Sequence, residues 1–317
     1  MKVRRSGLTM PVITPRFVDN AWRRGCDFVV LDLEDSVPRN LKDHARTLIK
    51  DAIPNVSKGG TEAFTRINHE LMEADTAAVV WPGLKRIKYP KTETADEVRA
   101  LDALITRYEK ERGMELGSIE IDTGIETALA ITNVYDIASA SPRIKELSAT
   151  NGGYDMSRDL GVEMFVPYDQ FVYLKGEAEL AARALGLGVR TAPFVANTTG
   201  SVSDADRALR QARAARACGI YLGGGGLNPA VVDSHNKGYT PSTDDVRDAH
   251  WVLAQFERLQ TTDEPWTELE GRFIDRYEAE RARGVLRQAE ACAARDCEKA
   301  DAMARVKAQQ SLNNNAI

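Results

Sequence analysis

Short runs of apolar and β-branched residues alternate along this chain with longer stretches in which apolar positions recur at helical spacing. The runs are Gly7–Pro11, Phe28–Leu33, Ala63–Ile67, Arg86–Tyr89, Ser118–Asp122, Leu147–Thr150, Arg190–Val195 and Gly219–Leu222. Helical patterns fall at Pro15–Arg24, Ala95–Arg112, Ile125–Ile137, Gly176–Leu185 and Ser203–Ala217. Strands that alternate with helices build a parallel sheet, because a parallel pair needs a long crossover. Eight such units predict a (β/α)8 TIM barrel, an α/β fold, rather than an open doubly wound sheet. The glycine run Gly223–Gly226 follows the last candidate strand, which is the wrong end for a dinucleotide-binding turn. Beyond it, Asn236–Ser242 reads as a loop, and helices are expected at Asp244–Leu259 and Arg276–Ala304, with a frayed polar end over Gln309–Ile317. The expected organisation is a barrel domain over residues 1–235. A C-terminal helical extension over 236–317 would pack on that barrel or on a neighbouring subunit.

A length of 317 residues suits one barrel of about 250 residues with extensions. The net charge of −5 argues against nucleic acid or an anionic membrane surface as partner. An anionic substrate would therefore need a local basic pocket. No stretch approaches the roughly 18 apolar residues of a membrane span, and the first residues lack the apolar run of a signal peptide, so a cytoplasmic protein is expected. Cys26, Cys218, Cys292 and Cys297 form no CxxC pair, which disfavours zinc and predicts free thiols.

Barrel enzymes place their chemistry at the C-terminal ends of the strands. The second run ends in Asp32-Leu33-Glu34-Asp35-Ser36, three carboxylates within four residues that need a metal or a basic side chain to offset them. The competing reading is an acidic helix start capped by Asp35 or Ser36. Arg66 ends the third run, and its planar fork suits a carboxylate or a carbonyl oxygen gaining charge; alternatively it is the ion-pair partner of Glu34 or Asp35. Lys91, after the fourth, could serve as a Schiff-base nucleophile, although a charge partner for the acidic cluster is favoured. Glu126 and Asp155 follow the fifth and sixth runs; adjacent carboxylates of this kind suit octahedral Mg2+, with Mn2+ as a substitute. None of the four histidines (His44, His69, His235, His250) stands at these positions, which disfavours zinc and non-haem iron. Neither a GxSxG elbow nor a phosphate-binding P-loop is present.

Together these segments resemble a known family. Arg4-Arg5-Ser6, Pro11, Pro15-Arg16, the LDLEDSVP of Leu31–Pro38, and Lys42 with Ala45-Arg46 are similar to the opening of the citrate lyase β-subunit-like enzymes. These belong to the HpcH/HpaI aldolase superfamily and include malyl-CoA and citramalyl-CoA lyases. The RIN at Arg66, the PK at Lys91, the IETA from Ile125, the DMSRDLG from Asp155, Tyr239–Ser242 and Gly271–Asp275 extend the resemblance over about residues 4–290. It implies a (β/α)8 barrel in trimers or hexamers, with Glu126 and Asp155 as Mg2+ ligands and Glu34 and Asp35 holding metal waters. Arg66 would contact the reacting carbonyl or enolate oxygen, and Asp275 would reach a neighbouring subunit's site to handle a proton. Arg66, Lys91 and Arg16 are the substrate-binding candidates. The implied reaction cleaves, or forms by Claisen or aldol condensation, a 3-hydroxyacyl-CoA such as malyl-, citramalyl- or citryl-CoA, giving an acyl-CoA and a 2-keto acid.

The sequence departs from the family pattern at Pro11-Val12, at Ala149–Asp155, at Leu174-Lys175-Gly176 and at Gly226-Leu227-Asn228-Pro229. These changes leave the metal carboxylates in place and bear on how a thioester and CoA would be seated. An aldolase acting on free hydroxy-keto acids, a thioester hydrolase variant and a non-catalytic barrel subunit are the rival readings.

Overall fold

The computed structural model describes residues 2–149, 154–163, 169–190, 203–223, 225–226 and 228–314. Eight parallel strands carry the fold: β1 (Gly7–Pro11), β2 (Phe28–Asp32), β3 (Glu62–Arg66), β4 (Leu84–Tyr89), β5 (Glu120–Ile125), β6 (Glu146–Ala149), β7 (Gly188–Val189) and β8 (Gly225–Gly226). Their order, β7-β6-β5-β4-β3-β2-β1-β8, sets the last strand against the first, as a sheet curling into a barrel requires. The helices between them are α1 (Pro15–Ala21), α2 (Lys42–Ser57), α3 (Met72–Val79), α4 (Ala95–Glu111), α5 (Ala128–Thr132), α6 (Val134–Ser139), α7 (Tyr154–Leu160), α8 (Val172–Ala184) and α9 (Ala205–Ala217). Then follow α10 (Val232–Tyr239), α11 (Thr243–Leu259), the hairpin β9 (Thr267–Leu269) with β10 (Arg272–Ile274), and α12 (Arg276–Asn314).

Alternation along the strands sorts the side chains. Val29, Leu31, Ala63, Ile87 and Ile121 face outward into the core shared with the helices. Phe28, Val30 and Phe64 form a separate inner cluster, with Phe28 stacked on Phe64 at 4.8 Å. Below them the barrel interior is ionic. Arg4 pairs with Glu62, Glu120 and Glu146, and Arg86 pairs with Glu120 and Glu146, all within 2.8 Å. Both guanidinium groups lie over the Phe64 ring.

Five expectations need correction. The eighth strand is Gly225–Gly226, not Gly219–Leu222; a side chain at Gly223 would overlap the Arg5 carbonyl, so glycine is what lets the chain reach β1. The fifth strand continues to Ile125, and the helix expected over Ile125–Ile137 is two short ones broken at Asn133. Residues 236–239 are helical because Gly238 lets α10 pack closely on Ala212 of α9. The terminal helix runs on to Asn314. The seventh strand, Gly188–Val189, lies just ahead of the expected Arg190–Val195, and Arg190 is outside it; residues 191–195, like Thr150 of the sixth expected strand, lie outside the described residues.

The C-terminal extension has its own small core, built from Ala249, Val252, Ile274 and Ala282. Farther along, α12 returns to the N-terminal end of the same barrel. There Asp296 pairs with Arg5, and Lys299 with the fully buried Asp27. All four cysteines are free thiols, as expected. Among the described residues no helix is long and apolar enough to cross a membrane.

Candidate active site

The end of β2 delivers Asp32, completely buried, to the C-terminal rim. The segment after it is held from several sides. Lys42 Nζ donates to the carbonyls of Leu33 and Glu34 at 2.6 Å each, and Asn68 Nδ2 donates to Leu33 at 2.9 Å. Asn68 is itself fixed by Asp75, which accepts from both its backbone and side-chain nitrogens at 2.7 Å. Onto this frame Arg66 brings its fork: Nε and Nη2 each donate to one Asp32 oxygen at 2.7 Å. Its Nη1 lies 2.6 Å from Glu34 Oε2 and 3.4 Å from Asp35. Burial opposes the charge on Arg66, but Asp32, helped by Glu34 and Asp35, outweighs it and holds the guanidinium above its ordinary range. Asp32 in turn stays below the usual carboxylate range: burial is outweighed by Arg66, Ser36 and the Glu34 amide. Glu34 is pushed up by burial, against the pull of Arg66 and Lys91.

On the opposite side stand Glu126, directly after β5, and Asp155, in the first turn of α7. Lys91 joins the two halves. Its Nζ is 2.7 Å from Glu34 and 3.8 Å from Asp155, and its backbone N–H donates to Glu126 Oε2 at 3.1 Å. Lys91 holds φ at 51°, a left-handed conformation uncommon outside glycine, which marks a strained turn at the rim. Gly124 clears the space, since a side chain there would press on Pro90 and on the Glu126 carboxyl. Burial pushes Glu126 up, and the nearby charges of Asp155 and Glu34 add to this against the Lys91 amide and Lys88.

Asp32, Glu34, Asp35, Glu126 and Asp155 thus gather around Arg66 and Lys91, with Lys88 acting on Glu126 from below and the exposed Arg158 3.6 Å from Asp155 at the edge. No cluster of three or more His, Cys, Asp or Glu ligands gathers among the described residues. Two carboxylates such as Glu126 and Asp155, without nitrogen or sulfur donors, would fit Mg2+, which takes one or two protein carboxylates and keeps waters for substrate to replace. The donor set therefore suits the metal expected from sequence.

The structure brings Arg66, Glu34, Asp35, Lys91, Glu126 and Asp155 together. Lys91 is the charge partner of the acidic cluster. Arg16, at the exposed start of α1, lies over the Phe17 ring and forms no ion pair among the described residues. Asp275 is elsewhere in this chain, where Oδ1 caps α12 by accepting from the amides of Tyr277 and Glu278. One role was not read from the sequence: the main partner of Arg66 is Asp32, not Glu34 or Asp35. Its place at the end of an apolar run was the only signal. The clamping by Lys42 and Asn68 was equally invisible, because both act on backbone carbonyls.

Residues 5–223 match the HpcH/HpaI aldolase/citrate lyase family. The citrate lyase subunit beta of Escherichia coli strain K12 is 30% identical over 295 residues, covering 91% of this chain and 94% of that protein. The L-malyl-CoA/beta-methylmalyl-CoA lyase of Rhodobacter capsulatus is 28% identical over 312 residues, covering 91% of this chain and 95% of that enzyme. Among solved structures, a citrate lyase from Burkholderia xenovorans LB400 superposes with a TM-score of 0.76 at 18% identity, covering 94% of this chain and 97% of that one. CitE from Mycobacterium tuberculosis, in complex with magnesium, acetoacetate and coenzyme A, gives 0.69 at 22% identity, with 91% and 98% covered. These likenesses share the barrel and extend into the C-terminal helices. The chain belongs to the HpcH/HpaI aldolase/citrate lyase family.

Proposed function

We propose that this protein is a Mg2+-dependent carbon–carbon lyase that cleaves, or forms in reverse, a 3-hydroxyacyl-CoA, yielding an acyl-CoA and a 2-keto acid. The observation that carries this reading is that Glu34 joins the Arg66 fork to Lys91, which in turn meets the Glu126 and Asp155 carboxylates. Relatives over nine-tenths of the chain are named citrate lyase subunit beta and malyl-CoA lyase, which supports the same class.

Glu126 and Asp155 would hold the metal, with Glu34 and Asp35 beside them to orient its waters. When bound, Mg2+ supplies a Lewis acid that polarises the α-oxygen and carboxylate of the acid fragment. Cleavage breaks the bond between C2 and C3 of the acyl chain, and the electron pair passes to the thioester as an enolate. The C3 hydroxyl would pass its proton to a carboxylate of the mouth and become the keto group. Arg66 meets the enolate oxygen, and its charge is pre-positioned by Asp32, so little reorganisation is needed. Lys91 holds Glu34 in place, and Arg16, at the start of α1, would meet the anionic substrate. Asp275 of a neighbouring copy would give a proton to the enolate carbon, within a proposed cytoplasmic homotrimer or hexamer.

The test is a mass-spectrometric turnover screen of the full chain with Mg2+, pairing acetyl-CoA and propionyl-CoA with glyoxylate, pyruvate and oxaloacetate against an EDTA control. A metal-dependent new acyl-CoA mass supports the proposal. Turnover of free hydroxy-keto acids alone would replace it with the aldolase reading.

A further inference from the structure

One register row crosses the barrel at the level of Arg66. Asp32 of β2 pairs with Arg66 of β3, Arg66 with Lys88 of β4, and Lys88 with Asp122 of β5. In-register neighbours of a parallel sheet point the same way, so all four side chains enter the barrel in one layer. Two cations, Arg66 and Lys88, therefore stand side by side, an arrangement that is unfavourable unless anions separate them. Arg66 is answered by Asp32 with two hydrogen bonds. Asp122 hydrogen-bonds to Arg190 through Oδ1. Lys88 is left with the other Asp122 oxygen at 3.6 Å, beyond hydrogen-bond reach, and donates to no other group among the described residues. That oxygen, on a side chain only 1% exposed, has no hydrogen-bond partner either. The Lys88 side chain retains 19% of its exposure. Burial holds its ammonium below the ordinary lysine range although Asp122 and Glu126 pull the other way. The protein thus under-compensates a cation on the floor of the mouth.

We propose that Lys88 is a specificity-determining residue whose ammonium binds a carboxylate of the substrate other than the one presented to Glu126 and Asp155. The inference rests on the lyase reading for what enters the mouth, but its test does not depend on turnover. A merely structural Lys88 would donate to Asp122 within hydrogen-bond range, and Asp122 already has Arg190.

The experiment is calorimetric titration of the Mg2+-loaded full chain with oxaloacetate and with pyruvate, a pair that differs by one carboxylate. Wild type is expected to prefer oxaloacetate. In Lys88→Met the ratio of the two affinities should fall about tenfold or more, as the loss of a charge-assisted hydrogen bond implies. Lys88→Arg should retain most of the preference, and Lys88→Gln replaces Met if that variant does not fold. An unchanged ratio in Lys88→Met or Lys88→Gln overturns the proposal, as does a wild-type chain that binds neither acid. A Lys88-dependent preference without turnover would uphold the proposal while removing the lyase reading. Turnover with an unchanged ratio would do the reverse.

Discussion

Replacing Arg66 by lysine separates charge from geometry. The guanidinium makes two hydrogen bonds of 2.7 Å to Asp32 and lies 2.6 Å from Glu34, so it serves three oxygens at once. A lysine ammonium is a point charge on a flexible stem and cannot span the two Asp32 oxygens and Glu34 together. At least one bond to a charged group is lost, worth about 1.5–3 kcal/mol. Complete removal in Arg66→Ala would leave the buried Asp32 uncompensated, at a cost of roughly 3–5 kcal/mol. Ser36 Oγ and two backbone amides still donate to Asp32, which places the expected loss at the lower end. Lysine is therefore the better probe, since it keeps the charge and leaves the fold largely intact. If Arg66 meets the developing enolate, its displacement should lower kcat by about 10²–10³-fold, the usual effect of losing one oxyanion donor. The assay is steady-state turnover of whichever acyl-CoA pair proves active, with thermal denaturation run in parallel. A kcat within about threefold of wild type, at unchanged stability, would refute the oxyanion role and leave Arg66 as a structural partner of Asp32.

Glu126→Gln keeps an acceptor for the Lys91 amide but removes a buried charge, so Mg2+ binding by calorimetry should vanish while the melting temperature stays level or rises; retained Mg2+ affinity would remove Glu126 as a ligand. Acid should loosen the barrel floor: Glu120, lowered from 4.5 to about 2 by Arg86 and Arg4 against burial, contributes stability present above its unfolded value. That contribution, roughly 3 kcal/mol, is lost as pH falls from about 4.5 towards 2, and a melting temperature that does not fall between pH 5 and 3 would contradict it. Gly223→Ala should abolish soluble expression, because the added methyl meets the Arg5 backbone rather than a movable side chain; normal yield would show that β8 can shift. Asp275→Asn keeps a competent helix cap, and mixing it with inactive Arg66→Lys chains should restore activity if neighbouring copies share the site; no recovery after subunit exchange would confine Asp275 to capping.

The elements legible in the sequence were those whose pattern is local. β1 was bounded correctly, and β2 to β5 were found within two or three residues, because each is a short segment holding apolar or β-branched residues between helical stretches. The misplaced eighth strand shows the limit. Gly225–Gly226 has no strand propensity and pairs with β1 because Gly223, just before it, lets the backbone lie against Arg5, which is a tertiary fact. In the same way, α10 takes its helical form against α9 rather than from its own composition. The carboxylates at the mouth could be read because strand ends fix where chemistry gathers in a barrel. Their pairing could not be read, because which carboxylate meets Arg66 depends on the registers of β2 against β3 and of the loop after Asp32.

The same registers explain why so many charges lie inside the barrel. Buried ion pairs are weak evidence for stability, since desolvation offsets most of the attraction. They are effective at excluding alternatives. Arg4 and Arg86 reach Glu62, Glu120 and Glu146 on three different strands, Arg190 reaches Asp122, and Arg66 reaches Asp32. A slip of one residue in any of these strands would turn its inward charges outward and leave several partners buried alone. The apolar faces alone specify register less sharply, because Val, Ile and Ala substitute for one another in volume with small penalties. The ionic rows therefore hold the strands in the one alignment that sets Asp32 beside Arg66. They also place Glu126 opposite Asp155 and leave Lys88 as the one cation of its row without a hydrogen-bonded anion among the described residues. On this argument the floor of the barrel and its mouth are one device: the lower ion pairs fix the register, and the upper row turns that register into a binding site.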